Sequence, residues 1–225
     1  MDRWPEARSH LLFRLVSTLG TELLGIPPMG VIGFHPAALP SNRGRHPIIW
    51  ALALGLAETT STFFLLDEGA DSGDIVSQTS VATHEEDDAG TLYEKITAAA
   101  VSQVQEFIPK LIDGSMARVT QDQSKTNYWR QRSIADGRID WRMSNSAIHN
   151  LVRALTRPYL GAHFDYKDEQ VRVWRTEVVE DHRSHLEPGL VIGVDSQGLT
   201  VMTDAGAIRL VEIEPPVRIK VDEYL

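Results

Sequence analysis

A histidine and a group of carboxylates stand at the ends of two apolar runs. Val31 and Ile32 begin a short stretch that ends near His35, and residues 59–66 (TTSTFFLL) form a second that runs into Asp67, Asp71 and Asp74. β-Branched and aromatic residues favour strands. A histidine therefore leaves the end of one predicted strand and acidic residues leave the end of the next. In an open α/β sheet, ligands gather at the carboxyl ends of the strands. His35 and the Asp67/Asp71 loop are thus the natural site candidates, residue types whose side chains can exchange protons. Each also has a plain structural role: a hydrogen-bonded histidine at a strand end, and an aspartate in a turn ahead of Ser72 and Gly73. Arg43, Arg45 and His46 cluster between them, either as a solvated loop or as a patch that meets an anion.

The elements that must position these residues are legible nearby. Pro47 opens a short apolar helix over residues 48–54, a position where its missing N–H costs nothing, and Gly55 can end it. Upstream, Leu11, Leu12, Leu15, Val16, Leu19, Leu23 and Leu24 suggest helical spacing, although residues 11–16 also fit a strand; Pro27 and Pro28 end that element. Downstream, residues 75–83 alternate enough for a strand. Glu85, Glu86, Asp87 and Asp88 then precede a helix over residues 91–113, where Thr91 and Glu94 fit a capping box and Gly114 a C-cap. Its apolar positions Leu92, Ile96, Ala100, Val104, Ile108 and Leu111 are spaced for a core face. Residues 121–142 are polar with embedded Tyr128, Trp129, Ile139 and Trp141, read first as anchors on the domain surface. Ser144 caps a helix over 147–155. Beyond His163 come short strand-like runs at 171–174, 189–192, 199–202 and 208–210, separated by turn residues.

Bulk composition sets the bounds. The 225 residues are 42% hydrophobic, carry a formal net charge of −9 and contain no cysteine; the mean hydropathy is −0.19. Disulfides and Cys-ligated metals are excluded. The eight histidines lack the i, i+4 pairing with acidic partners that marks a metal-binding helix, so no metal is expected. The start MDRWPEARSH lacks a signal-peptide core, and no run approaches the length of a membrane span; the cytoplasm is the default location. The acidic balance argues against a polyanionic partner.

The order of short motifs resembles the folate-dependent formyltransferase family. Members carry Asn-x-His at a strand end, then Ser-Leu-Leu-Pro, Arg-Gly, Pro-x-x-Trp and Asp-x-Gly. The matching text here is Gly33-Phe34-His35, Ala37-Ala38-Leu39-Pro40, Arg43-Gly44, Pro47-Ile48-Ile49-Trp50 and Asp71-Ser72-Gly73. Gly33 stands where the family has Asn, and Ala37 where Ser is usual. The 151–159 segment (LVRALTRPY) resembles a helix and turn in members that formylate amino sugars on nucleotide carriers.

The resemblance implies an α/β fold: a partial Rossmann-like domain with a mostly parallel sheet, followed by a small antiparallel β-subdomain. The expected division is a catalytic core over 1–120, a linker and helix over 121–162 and the β-subdomain over 163–225. With 34 residues ahead of His35, the sheet is expected to be shortened at its N-terminal side. The implied donor is 10-formyltetrahydrofolate, held by Ala37, Ala38, Leu39, Pro40, Asp67, Gly69 and Gly73. His35 would act as the base and Asp71 would orient it. The family asparagine donates to the formyl oxygen, which Gly33 cannot do. Arg43, Arg45, Trp50, Arg157 and Tyr159 are the implied substrate-binding residues. The expected partner is a nucleotide-linked amino sugar, not a membrane or a nucleic acid, with a homodimer as a compatible assembly. Methionyl-tRNA formylation, glycinamide ribonucleotide formylation and a catalytically impaired binding or assembly module are the rival readings.

Overall fold

In the computed structural model, residues 10–12 and 20–225 are described. The candidate helical positions Leu15, Val16 and Leu19 lie outside them. The chain divides into two compact units. The first comprises residues up to 47, with 58–82 and 94–131; the second comprises 48–57, 83–93 and 132–225.

The first unit holds β1 (His10–Leu12), a short helix α1 (Thr21–Leu24), β2 (Val31–His35) and β3 (Arg43–Gly44). After α2 (Pro47–Ala53), which Pro47 opens as expected, come β4 (Glu58–Leu65), β5 (Ile75–Ala82), the long helix α3 (Ala89–Asp113) and β6 (Tyr128–Trp129). The main sheet runs β1-β2-β4-β5. Its parallel part is the β1–β2 pair, whereas β2–β4 and β4–β5 are antiparallel, so the described sheet is mixed. The two-residue alternation of β2 sorts its faces. Ile32 and Phe34 face a core built with Phe63 and with Ala100 and Phe107 of α3. The ring of Phe63 lies 4.9 Å from that of Phe34 and 5.1 Å from that of Phe107. Gly33 and His35 fall on the opposite face by the same alternation.

α3 begins two residues earlier than its expected start. Asp88, not Thr91, is the cap: its Oδ1 accepts from the N–H groups of Gly90 and Thr91, while Thr91 Oγ1 accepts from the Asp88 N–H. An aspartate caps at least as well as a threonine and adds a charge favoured by the helix dipole, so the acidic run supplies the cap itself.

The second unit is built on an antiparallel sheet, β7 (Ala162–Tyr166), β8 (Glu169–Val179), β9 (Val191–Asp195), β10 (Gly198–Met202) and β11 (Ala207–Glu214), in the order β7-β8-β11-β10-β9. The expected runs at 171–174, 199–202 and 208–210 fall within β8, β10 and β11, and the run at 189–192 overlaps only the start of β9, which begins at Val191; β7 is an addition. α4 (Asn145–Leu155) is capped by Ser144, whose Oγ accepts from the Ala147 N–H. It sends Ile148, Leu151 and Val152 into a core with Phe164, Val171 and Ile208. Ile139 and Trp141 are buried in this core as well, so they are interior residues and not surface anchors; Trp141 meets Phe164 edge-on at 5.5 Å. No described helix is long and apolar enough to cross a membrane.

Candidate active site

The end of β2 and the loop after β4 bring His35 and Asp71 together. His35 is buried, and its Nδ1 lies 3.8 Å from Asp71 Oδ2. The other ring nitrogen, Nε2, is 2.8 Å from the carbonyl oxygen of Asn42. A carbonyl can only accept, so Nε2 carries the proton and, in the neutral ring, Nδ1 presents its lone pair on the side of the carboxylate. A proton taken up at Nδ1 would be met by a negative charge.

Asp71 is itself held from two directions. Its backbone has a φ of 57°, a left-handed conformation that aspartate tolerates better than most residues. Its Oδ2 accepts from the Gly44 N–H at 2.9 Å. Gly44 has a φ of 104°, and a Cβ there would run into the carbonyl oxygen of Trp129. Only glycine permits this close parallel pairing of β3 with β6, and the pairing aims the Gly44 N–H at Asp71. Asp67 closes the other end of the loop, accepting at Oδ1 from the Gly69 N–H and from Ser72 Oγ.

The segment proposed to meet the donor is pinned from below. Ala37 and Leu39 are buried, and Ala38 and Pro40 are half-buried. Thr62 Oγ1 donates to the Ala37 carbonyl at 2.7 Å, and Gln78 Nε2 donates to that of Leu39 at 3.0 Å. Gly73 passes so close to β4 that a Cβ would fall on the Leu65 carbonyl oxygen.

Other expected site residues are placed differently. Arg43 was a candidate for meeting an anion, yet it is 1% exposed. Its Nη2 donates to Gln121 Oε1 at 2.6 Å, and its Nη1 to Gln123 Oε1 and to the Tyr128 hydroxyl. Its guanidinium is turned into the protein because those neutral acceptors enclose it. Arg45 remains exposed. Trp50, Arg157 and Tyr159 belong to the second unit. There Arg132 lies over the Trp50 ring at 4.7 Å, and Arg157 lies over Trp174 at 4.2 Å and pairs with Glu212 at 2.9 Å. Asn42 is a candidate from sequence only as a stand-in for the amide that Gly33 lacks, whereas here its carbonyl holds His35; the Gly44 N–H is signalled only by the Arg-Gly dipeptide, and Gln121 by nothing local. Among the described residues, no cluster of His, Asp and Glu could hold a metal ion.

Two family models match the chain: formyl transferase over residues 12–108, and formyl transferase, C-terminal domain, over residues 133–224. The methionyl-tRNA formyltransferase of Acetivibrio thermocellus is 31% identical over 209 residues, which is 92% of this chain and 67% of the relative. The chain belongs to the formyl transferase family. Formyl-group transfer is the reaction class that membership assigns. Among solved structures, HypX from Aquifex aeolicus in complex with tetrahydrofolic acid superposes with a TM-score of 0.73 at 17% identity, covering 92% of this chain and 35% of HypX. This chain thus spans about a third of the HypX length. The N-formyltransferase from Helicobacter canadensis, in complex with folinic acid and dTDP-3-aminofucose, matches with a TM-score of 0.65 at 17% identity, covering 80% of this chain and 65% of that one. These likenesses establish the formyltransferase fold, with its separate antiparallel sheet.

Gly33 stands where the resemblance implies an asparagine, and its packing shows what fills that space. A Cβ at Gly33 would collide with Cδ2 of Leu66. Leu66 therefore occupies the path an asparagine side chain would take. Gly33→Asn alone is expected to overpack this spot, costing about 1–3 kcal/mol of stability and giving little gain in turnover. Gly33→Asn combined with Leu66→Ala is expected to exceed it by about 10-fold, a discounted fraction of what one oxyanion donor contributes. Equal initial rates for the single and double variants would show that Leu66 does not control the position.

Proposed function

We propose that the chain transfers a formyl group from 10-formyltetrahydrofolate to the amine of a nucleotide-linked amino sugar. The observation that carries the transfer reading is the His35 arrangement: Nε2 committed to the Asn42 carbonyl, Nδ1 turned toward the Asp71 carboxylate at 3.8 Å. In this reaction a bond forms between the acceptor nitrogen and the formyl carbon, and the bond from that carbon to N10 of the folate breaks. The amine must lose a proton as it becomes an amide, and N10 must gain one. Nδ1 of His35 takes the first proton, Asp71 stabilises the resulting imidazolium, and the same nitrogen can return a proton to N10. Ala37, Ala38, Leu39 and Pro40 form the donor side together with the loop from Asp67 through Gly69 to Gly73. Arg45 is the proposed anion contact on the first unit. Trp50, Arg157 and Tyr159 are carried as acceptor-side candidates from the family motif.

The choice of acceptor rests on charge. Residues 161–225 carry 13 Asp or Glu against 7 Lys or Arg, a net of −6, and such a surface repels phosphate. A second reading, methionyl-tRNA as acceptor, is favoured by the 31% identity to a methionyl-tRNA formyltransferase. Folate release measured with a panel of nucleotide-linked amino sugars and with initiator methionyl-tRNA decides between them. On the sugar reading, binding to tRNA at low salt is weak and changes little as salt rises. Tight tRNA binding that falls steeply with salt would overturn it.

A further inference from the structure

We infer that Gln121 is a positioning residue for the proposed catalytic carboxylate, with the buried Arg43 fixing which way its amide points. The inference rests on the assignment of His35 and Asp71 made above and extends it to a side chain in the polar stretch after α3. Gln121 is buried, at 4% exposure. Its Nε2 donates to two carbonyl oxygens of the loop after β4, that of Asp71 at 2.9 Å and that of Gly73 at 2.6 Å. Its Oε1 accepts from Arg43 Nη2 at 2.6 Å.

The orientation of this amide is dictated by chemistry. Guanidinium can only donate and backbone carbonyls can only accept, so the oxygen must face Arg43 and the nitrogen must face the loop. A glutamate at this position would keep the contact with Arg43 but set an acceptor against two acceptors. The loop needs the support, because Asp71 sits in a left-handed conformation with a φ of 57°. Strained backbone of this kind persists where surrounding contacts over-determine it. Gln121 grips the main chain of Asp71 from one side while the Gly44 N–H holds its carboxylate from the other. Arg43 and Gly44 are adjacent in β3, so one short strand serves both grips. Arg43 carries a buried charge whose hydrogen-bonding partners are neutral amides and a hydroxyl, and its Nε has no partner among the described residues. That is a costly arrangement, and it becomes intelligible as the means of locking Gln121 in one orientation.

The test uses the whole chain and the variants Gln121→Glu and Gln121→Met, the second being neutral, of similar length and unable to donate. Hydrogen exchange is followed at the amides of Gly44 and Leu65, whose protons are held by Asp71 Oδ2 and by the Asp74 carbonyl. Turnover is measured with 10-formyltetrahydrofolate and whichever of dTDP-3-aminofucose or initiator methionyl-tRNA the wild type uses. Both variants are expected to exchange faster at these two amides and to lose about 10²-fold in kcat, the scale of a misplaced catalytic group, with a rise of only a few-fold in KM for the folate, whose proposed loop Gln121 also touches at Gly73. Unchanged exchange at both amides overturns the inference, as does fast exchange with wild-type kcat. A rise in KM that accounts for the whole loss also overturns it, since that would make Gln121 a binding or merely structural residue. Asp71→Asn is measured alongside. If it retains full turnover, the catalytic assignment falls; if it is inactive while the Gln121 variants behave as wild type, only the present inference falls.

Discussion

His35→Ala is expected to reduce formyl transfer by about 10²–10⁴-fold, the range supplied by a positioned general base, while folate affinity stays within a few-fold of wild type. The ring makes its two polar approaches to the Asn42 carbonyl and the Asp71 carboxylate, and its proposed task arises only as the amine proton moves. A loss confined to kcat is the mark of an interaction made in the transition state. Asp71→Asn should show a smaller loss of the same kind. The amide keeps the shape but not the negative charge that would meet a protonated Nδ1. Calorimetry with a non-hydrolysable folate analogue and steady-state kinetics separate the two quantities. Full activity in His35→Ala would make the histidine structural and void the assignment.

Gly73→Ala is expected to damage the same site by a different route. A Cβ at this position would fall on the Leu65 carbonyl oxygen, which belongs to the backbone of β4 and cannot swing aside like the tip of a side chain. Either the strand end or the loop must move. Overpacking of this kind costs about 1–3 kcal/mol, and the displaced loop is the one that carries Asp71 and receives the Gln121 hydrogen bond at the Gly73 carbonyl. Because a shift of about 1 Å in a catalytic group can cost ~10² in rate, turnover should fall further than the melting temperature alone suggests. A variant with wild-type kinetics would show that the loop absorbs the methyl group without moving Asp71.

Much of this arrangement was legible from local pattern. The apolar runs ending at His35 and before Asp67 became β2 and β4, because β-branched and aromatic side chains suit a buried pleated face. The direction of pairing was not legible. Nothing local to residues 59–66 tells whether that strand runs with or against β2, because the direction is decided by pairing with residues about thirty positions away. β7 escaped although AHFDY alternates apolar and polar residues as a half-buried strand does; at five residues, directly after the Gly161 turn, the run is too short to stand out from the loop before it. Arg43 was misplaced for a different reason. Arginine is seldom fully buried, and the groups that draw it inward, Gln121, Gln123 and Tyr128, lie 78 to 85 residues further along the chain. Gln121 could not be found without that long-range contact, since in isolation it is one polar residue in a polar stretch.

The aromatic residues of the two units are unequally shared, and this bears on how the protein can be watched. Trp50, Trp141 and Trp174 belong to the second unit, and Trp129 is the one tryptophan of the first among the described residues. Trp141 is nearly enclosed and meets Phe164 edge-on, so its emission reports on the second core. Trp129 pairs with Gly44, next to the amide that holds Asp71. Subtracting the spectrum of a Trp129→Phe protein from that of wild type would therefore isolate an optical reporter of the His35 loop. A folate analogue that quenches or shifts that difference, while leaving the remaining emission untouched, would register binding without any acceptor being known.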